Sequence, residues 1–174
     1  GQEFGIDFAD TSNALAGFRG VQRRFQLIGE VNNIQIVDDY AHHPTEIKAT
    51  LNAAKNCHKG RLIAVFQPHR YTRTKFLARE FAESLEGVDL LVLDEIYSAG
   101  EKPIPGVSTQ NIIDYLNPQL DVEYFNDRND LTTYLADTVK PGDLVITLGA
   151  GNIWQVGVEL AHILLKEKEA LASV

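Results

Sequence analysis

The stretch RLIAVFQPHRYTRTKFLAREFAESLEGVDLLVLDEI, residues 61–96, decides the fold. It opens on a continuous apolar run, LIAVF, passes through a polar turn, continues as the helical segment RTKFLAREFAESL, and returns to a second apolar run in DLLVLDEI. Strands that are apolar along their whole length are buried on both faces. A strand, a helix and a second such strand therefore read as one unit of a parallel sheet with a right-handed crossover. The same alternation runs downstream: TQNIIDYL as a helix, DVEYF as a strand, DLTTYLADTV as a helix, DLVITLG as a strand and IWQVGVELAHILLKEKEAL as a closing helix. Upstream, TEIKATLNAAKN repeats apolar residues at Ile47, Leu51 and Ala54, with Pro44 in the first turn, where its missing N–H costs nothing. Before it, RFQLIGEV and IQIVDDY flank Asn32-Asn33, and asparagine tolerates the positive φ of a tight hairpin turn. TSNALAGFRG, with Ala14, Leu15 and Phe18 at helical spacing and Gly20 as a stop, reads as the end of a short amphipathic helix. The predicted class is α/β: a Rossmann-like, mostly parallel sheet with helices on both faces, preceded by a β-hairpin.

Composition excludes several functions. With 174 residues, 44% apolar and 23% charged, the chain can bury a real core as one compact domain. Its apolar runs are too short to span a bilayer, and GQEFGIDFAD lacks a basic segment followed by an apolar one, so no membrane association is expected. The single Cys57 excludes an intrachain disulfide, and a cytoplasmic location is expected. A net charge of −8 opposes general electrostatic binding of nucleic acid, yet Arg70, Arg73 and Lys75 form one local cationic cluster.

In parallel sheets ligands bind beyond the C-terminal ends of the strands. Four polar clusters fall there: DDYAHHP, QPHRYTR, DEIYSAGEKPIPG and GAGN. They are expected to surround one cleft. Asp38 and Asp39 suit three roles that spacing alone does not separate: a turn or helix cap, a magnesium site, or an acceptor for ribose hydroxyls. His42 and His43, adjacent in the chain and without an H-x3-H or C-x2-C partner pattern, argue against a protein-held metal. Arg70 and Arg73, three residues apart, converge on one point near a helix N-terminus if a helix begins near Tyr71, a natural carboxylate or phosphate site beside His69. GAGN serves either close ligand approach or helix-on-strand packing, because Trp154 stands where a Rossmann fingerprint needs its third glycine. Glu101 and Lys102 read as solvated loop residues. No G-x-x-x-x-G-K-[ST] loop is present, so an ATP triphosphate would have to be held by another segment.

Taken together, RRF (23–25), VDDYAHHPTEI (37–47), FQPHRYTRT (66–74), DEIYSAGEKPIPG (94–106) and GAGNI (149–153) closely resemble the C-terminal domain of the alanine-adding Mur ligases. The resemblance begins at about Gly20. It makes residues 20–174 that domain and residues 1–19 the tail of a central ATPase domain or a cloning remnant. It implies an ADP-forming ligation in which the lactyl carboxylate of UDP-N-acetylmuramate is activated as an acyl phosphate and attacked by the amine of L-alanine. ATP and Mg would be held mainly by the central domain, so the fragment alone would be inactive. Carried over by motif, Asp39 is implied to bind the ATP ribose and Arg24 to reach toward its phosphates. His69, Arg70 and Arg73 are implied to line the amino-acid pocket, with Tyr40 in the same cleft. No firm role is implied for His42 or His43.

Overall fold

The computed structural model describes residues 2–17 and 20–173. A 3-10 turn, Gln2–Phe4, and helix α1, Phe8–Ala16, come first. Asp7 caps α1, but no α1 residue is buried. Phe18, expected on that helix, lies outside the described residues. The remaining elements are β1 (Gln26–Val31), β2 (Ile34–Asp39), α2 (Pro44–Cys57), β3 (Leu62–Phe66), α3 (Tyr71–Ser84), β4 (Leu90–Leu93), α4 (Gln110–Ile113), β5 (Val122–Tyr124), α5 (Arg128–Thr138), β6 (Leu144–Leu148) and α6 (Trp154–Ala172). They form one six-stranded sheet in the order β1-β2-β6-β3-β4-β5. Only β1 runs antiparallel, joined to β2 through the expected turn, in which Asn32 and Asn33 both take positive φ.

Strand periodicity divides the apolar residues between two cores. In β3, Leu62, Ala64 and Phe66 face one side and Ile63 and Val65 the other. The first side packs on Ile47 and Leu51 of α2, Phe81 of α3 and Ile112 of α4; the second packs on Leu131 and Leu135 of α5 and Val156 and Leu160 of α6. The Phe66 and Phe81 rings meet at 5.3 Å, both fully buried. Each such side chain contributes about 1.5–3 kcal/mol relative to remaining in water.

Several element boundaries shift by two or three residues from the sequence reading, and two differences have a plain cause. β1 starts at Gln26 rather than Arg24, because Arg23 and Phe25 have φ of 57° and 46° and left-handed backbone cannot join a strand ladder. TQNIIDYL yields only the four-residue α4, since the chain after Ile113 continues in turns toward Pro118.

Candidate functional site

Because β2, β6, β3 and β4 are mutually parallel, the residues that follow them emerge on one edge of the sheet. The four polar clusters are thereby gathered as expected. Their aromatic and imidazole rings form a continuous row. Tyr40 meets His42 edge-on at 5.2 Å, His42 meets His69 at 5.6 Å, and His69 stacks on Tyr97 at 5.6 Å with only 16° between planes. The last contact is fixed by backbone: Arg70 N–H donates to the Tyr97 carbonyl and Tyr97 N–H to the Pro68 carbonyl, each at 2.8 Å.

Guanidinium groups border this row. Arg73 Nη1 donates to the His42 carbonyl at 3.3 Å and stands 3.4 Å from His69 Nδ1. Since arginine only donates, His69 Nδ1 is the acceptor and its ring is neutral. The same surroundings push the His69 pKa down to about 4, first through burial and then through the charges of Arg73, His42 and Arg70. Arg70 sits at the N-cap of α3 with φ 74°, its side chain half exposed and Nη1 4.0 Å from Glu101 Oε1. The helix does begin at Tyr71, yet in this structure the two guanidinium groups take different partners, Arg73 toward the histidines and Arg70 toward Glu101. They remain close enough that Arg70, after burial, is the next cause lowering the Arg73 pKa.

The paired carboxylates are separated by the pleat. Asp38 Oδ2 accepts from Arg23 Nε at 2.8 Å and Asp38 Oδ1 accepts from Thr147 Oγ1 at 2.7 Å, with no part of the residue exposed. Asp39, on the opposite face of the strand, is 5% exposed. One of its oxygens accepts the Phe25 N–H and the other the Ala41 N–H, both at 2.8 Å. A carboxylate oxygen has two acceptor positions, so each retains one for a ligand hydroxyl. Of the two arginines in RRF, Arg24 is exposed with its guanidinium 5.7 Å from the Tyr40 ring, whereas Arg23 is the partly buried anchor.

His42 and His43 separate in the same way. His43 is the N-cap of α2, its Nδ1 accepting from Thr45 N–H at 3.4 Å. His42 turns back to the Tyr40 carbonyl at 2.9 Å, and Glu46 accepts its backbone N–H. Among the described residues no three His, Cys, Asp or Glu side chains gather as a metal site.

Glycine in GAGN has a packing role. A Cβ on Gly151 would lie 2.7 Å from the Tyr97 ring, and one on Gly149, at φ 151°, 3.0 Å from the Gln67 carbonyl. The loop is held on both sides. Arg23 donates to the carbonyls of Gly149 and Gly151, and Gln67 Oε1 accepts from Asn152 N–H. Gln67 Nε2 reaches Asp94 Oδ2 at 2.7 Å, which also accepts from Arg128 Nε at 3.1 Å. Sequence reading overlooked this Gln67–Asp94–Arg128 connection; the only signal was polar residues directly after apolar strands. Glu101, at the surface as expected, also engages the start of α3: its carboxylate accepts from Thr72 N–H at 3.0 Å and Thr72 Oγ1 at 2.7 Å.

A parallel sheet whose strand ends gather clustered arginines, a neutral histidine and a covered aspartate has the form of a ligand-binding α/β domain. The chain belongs to the Mur ligase family: residues 23–151 match the family model described as Mur ligase, glutamate ligase domain. Over 98% of its length it is 49% identical to a UDP-N-acetylmuramate--L-alanine ligase from Pelotomaculum thermopropionicum, of which it spans 37%. A crystal structure of a UDP-N-acetylmuramate-alanine ligase from Thermotoga maritima superposes with a TM-score of 0.80 at 27% identity, covering 95% of this chain and 35% of that one. A murein peptide ligase from Psychrobacter arcticus gives 0.70, also at 27% identity, over 87% of this chain and 32% of that one. The chain thus spans about a third of the length of these relatives.

Proposed function

We propose that this chain is the amino-acid- and ATP-ribose-binding domain of an ADP-forming ligase that joins L-alanine to UDP-N-acetylmuramate in peptidoglycan synthesis in the cytoplasm. The observation that carries the reading is the placement of Arg70 and Arg73 on the first turn of α3, with neutral His69 beside them, on the sheet edge that also presents Asp39 and Tyr40. Two guanidinium groups hold a small carboxylate while leaving the amine of the amino acid free to attack, and fixed orientation of that amine against the acyl phosphate accounts for most of the gain available to such a reaction. His69, uncharged at neutral pH, offers a ring nitrogen to the ligand without repelling its ammonium. Asp39 accepts from a ribose hydroxyl through its remaining acceptor positions, and exposed Arg24 extends toward phosphate.

ATP with Mg, held mainly by a separate domain, supplies the phosphate that activates the acceptor carboxylate. Residues 1–19 are the tail of that neighbouring domain or a cloning remnant, and an α1 that buries nothing here fits either. By itself the chain binds but does not catalyse. The similarity to an alanine ligase at 49% identity supports this reading over a peptide-joining ligase of the same fold.

The test is phosphate release by the full-length ligase carrying this sequence, with L-alanine, glycine, L-serine and a peptide as acceptors. L-Alanine should be preferred. Asp39→Ala should raise the KM for ATP, and Arg70→Ala should raise that for L-alanine roughly ten- to a hundredfold, the worth of one charge-assisted hydrogen bond. Two unchanged Michaelis constants would refute these roles.

A further inference from the structure

Arg70 occupies an unusual position for the residue assigned to grip a carboxylate. It is the N-cap of α3, yet its side chain has only donors and makes no capping hydrogen bond. Its backbone lies at φ 74° and ψ 137°, a conformation costly for a residue with a side chain, which persists only where surrounding structure determines it. That structure comes from the loop after β4. The loop donates and accepts across the His69–Tyr97 bridge on one side of Arg70. On the other side Glu101 brings its carboxylate to Thr72, taking the N–H at 3.0 Å and the hydroxyl at 2.7 Å. The capping group that α3 lacks locally is therefore delivered from 29 residues away.

Glu101 also faces the Arg70 guanidinium. At 4.0 Å the separation is too long for a hydrogen bond, so the attraction directs the guanidinium without occupying its N–H donors, and half of the Arg70 side chain stays open to a ligand. Hydrogen bonds from the Thr72 hydroxyl and amide, with a smaller contribution from Arg70, keep the carboxyl ionised by lowering its pKa. The approach is one-sided: Glu101 faces Arg70, whereas Arg73 turns its Nη1 to the His42 carbonyl and toward His69 and keeps its other donors for a ligand.

We propose that Glu101 is a positioning residue that holds Arg70, through the start of α3 and through its own charge, in the orientation in which Arg70 receives the amino-acid carboxylate. The proposal rests on the reading of Arg70 given above. The opposite possibility, that Glu101 competes for Arg70 and weakens amino-acid binding, predicts the opposite sign.

The experiment uses the full-length ligase carrying this sequence, with Glu101→Ala, Glu101→Gln, Arg70→Ala and the Glu101→Ala/Arg70→Ala double variant, measuring KM for L-alanine, KM for ATP, kcat and melting temperature. Glu101→Ala should raise the L-alanine KM about fivefold, in line with loss of a helix cap, while kcat and the ATP KM change less than about twofold. Glu101→Gln, whose amide oxygen still accepts from Thr72, should recover part of that loss even if the alanine variant folds poorly. The double variant should be no worse in L-alanine KM than Arg70→Ala alone, because Glu101 acts through Arg70. An unchanged or lowered KM in both Glu101 variants, or losses that multiply in the double variant, overturns the positioning role while leaving the Arg70 assignment standing. An Arg70→Ala enzyme with unaltered KM for L-alanine overturns both.

Discussion

Replacing Arg23 by methionine should destabilise the chain more than any substitution at its neighbour Arg24. Arg23 Nε donates to Asp38 at 2.8 Å, Nη2 to the Gly149 carbonyl at 2.6 Å and Nη1 to the Gly151 carbonyl at 3.1 Å. Methionine keeps much of the aliphatic length but none of these donors. Asp38, fully buried, would retain only the Thr147 hydroxyl as a side-chain partner. Stranding one member of a buried ion pair costs about 3–5 kcal/mol. Here 24% of the Arg23 side chain is exposed, so water enters on its removal and about 2–3 kcal/mol is the better expectation. For a chain of this size each kcal/mol lowers the melting temperature by about 2–4 °C, giving a loss of about 5–10 °C. Urea unfolding followed by circular dichroism at pH 7, with a thermal scan, measures it. Adding Asp38→Asn removes the stranded charge, so the double variant should regain about half of the loss. Arg24→Met should stay within about 0.5 kcal/mol of the parent, as expected for an exposed position. An Arg23→Met chain as stable as the parent, or a double variant showing the full sum of the single losses, would refute the argument.

Gly151→Ala should lower stability by about 1–3 kcal/mol, because the new methyl overlaps Gln67 Oε1, which accepts the Asn152 N–H, and meets the Tyr97 ring at 2.7 and 2.9 Å; the same denaturation assays report it, and a neutral effect would show that the loop yields freely. His69 should show a proton NMR titration midpoint near 4 rather than 6.5. The folded state then binds this proton less readily than the unfolded chain, so the His69 contribution to stability is complete above about pH 6.5 and is lost as pH falls toward 4. A His69→Gln chain should lose less stability across that interval, and equal slopes for the two proteins would contradict the assignment.

Much of the fold was legible from apolar periodicity. LIAVF, DLLVL and DLVITL are apolar without alternation because both faces of β3, β4 and β6 are covered, and the Asn32-Asn33 turn announced the single antiparallel pair. The short elements were less legible. α4 and β5 contribute few buried side chains, so their local sequence carried little pattern. In the site, the strand-end rule alone assigns Asp39, Tyr40, His69, Arg70 and Arg73 to one edge.

The division of labour within each adjacent pair depended on tertiary structure. Arg23 and Arg24, Asp38 and Asp39, and His42 and His43 are nearly interchangeable by residue type, and the backbone sends the two members of each pair to different surroundings. Glu101 and Gln67 acquired roles only because the β4 and β6 loops fold back over the end of β3. The sequence by itself determined the layered α/β fold and the edge where ligands bind, since apolar period and strand direction are local properties. Which carboxylate is buried, which arginine remains available and which distant glutamate caps α3 were decided by contacts between segments far apart in the chain.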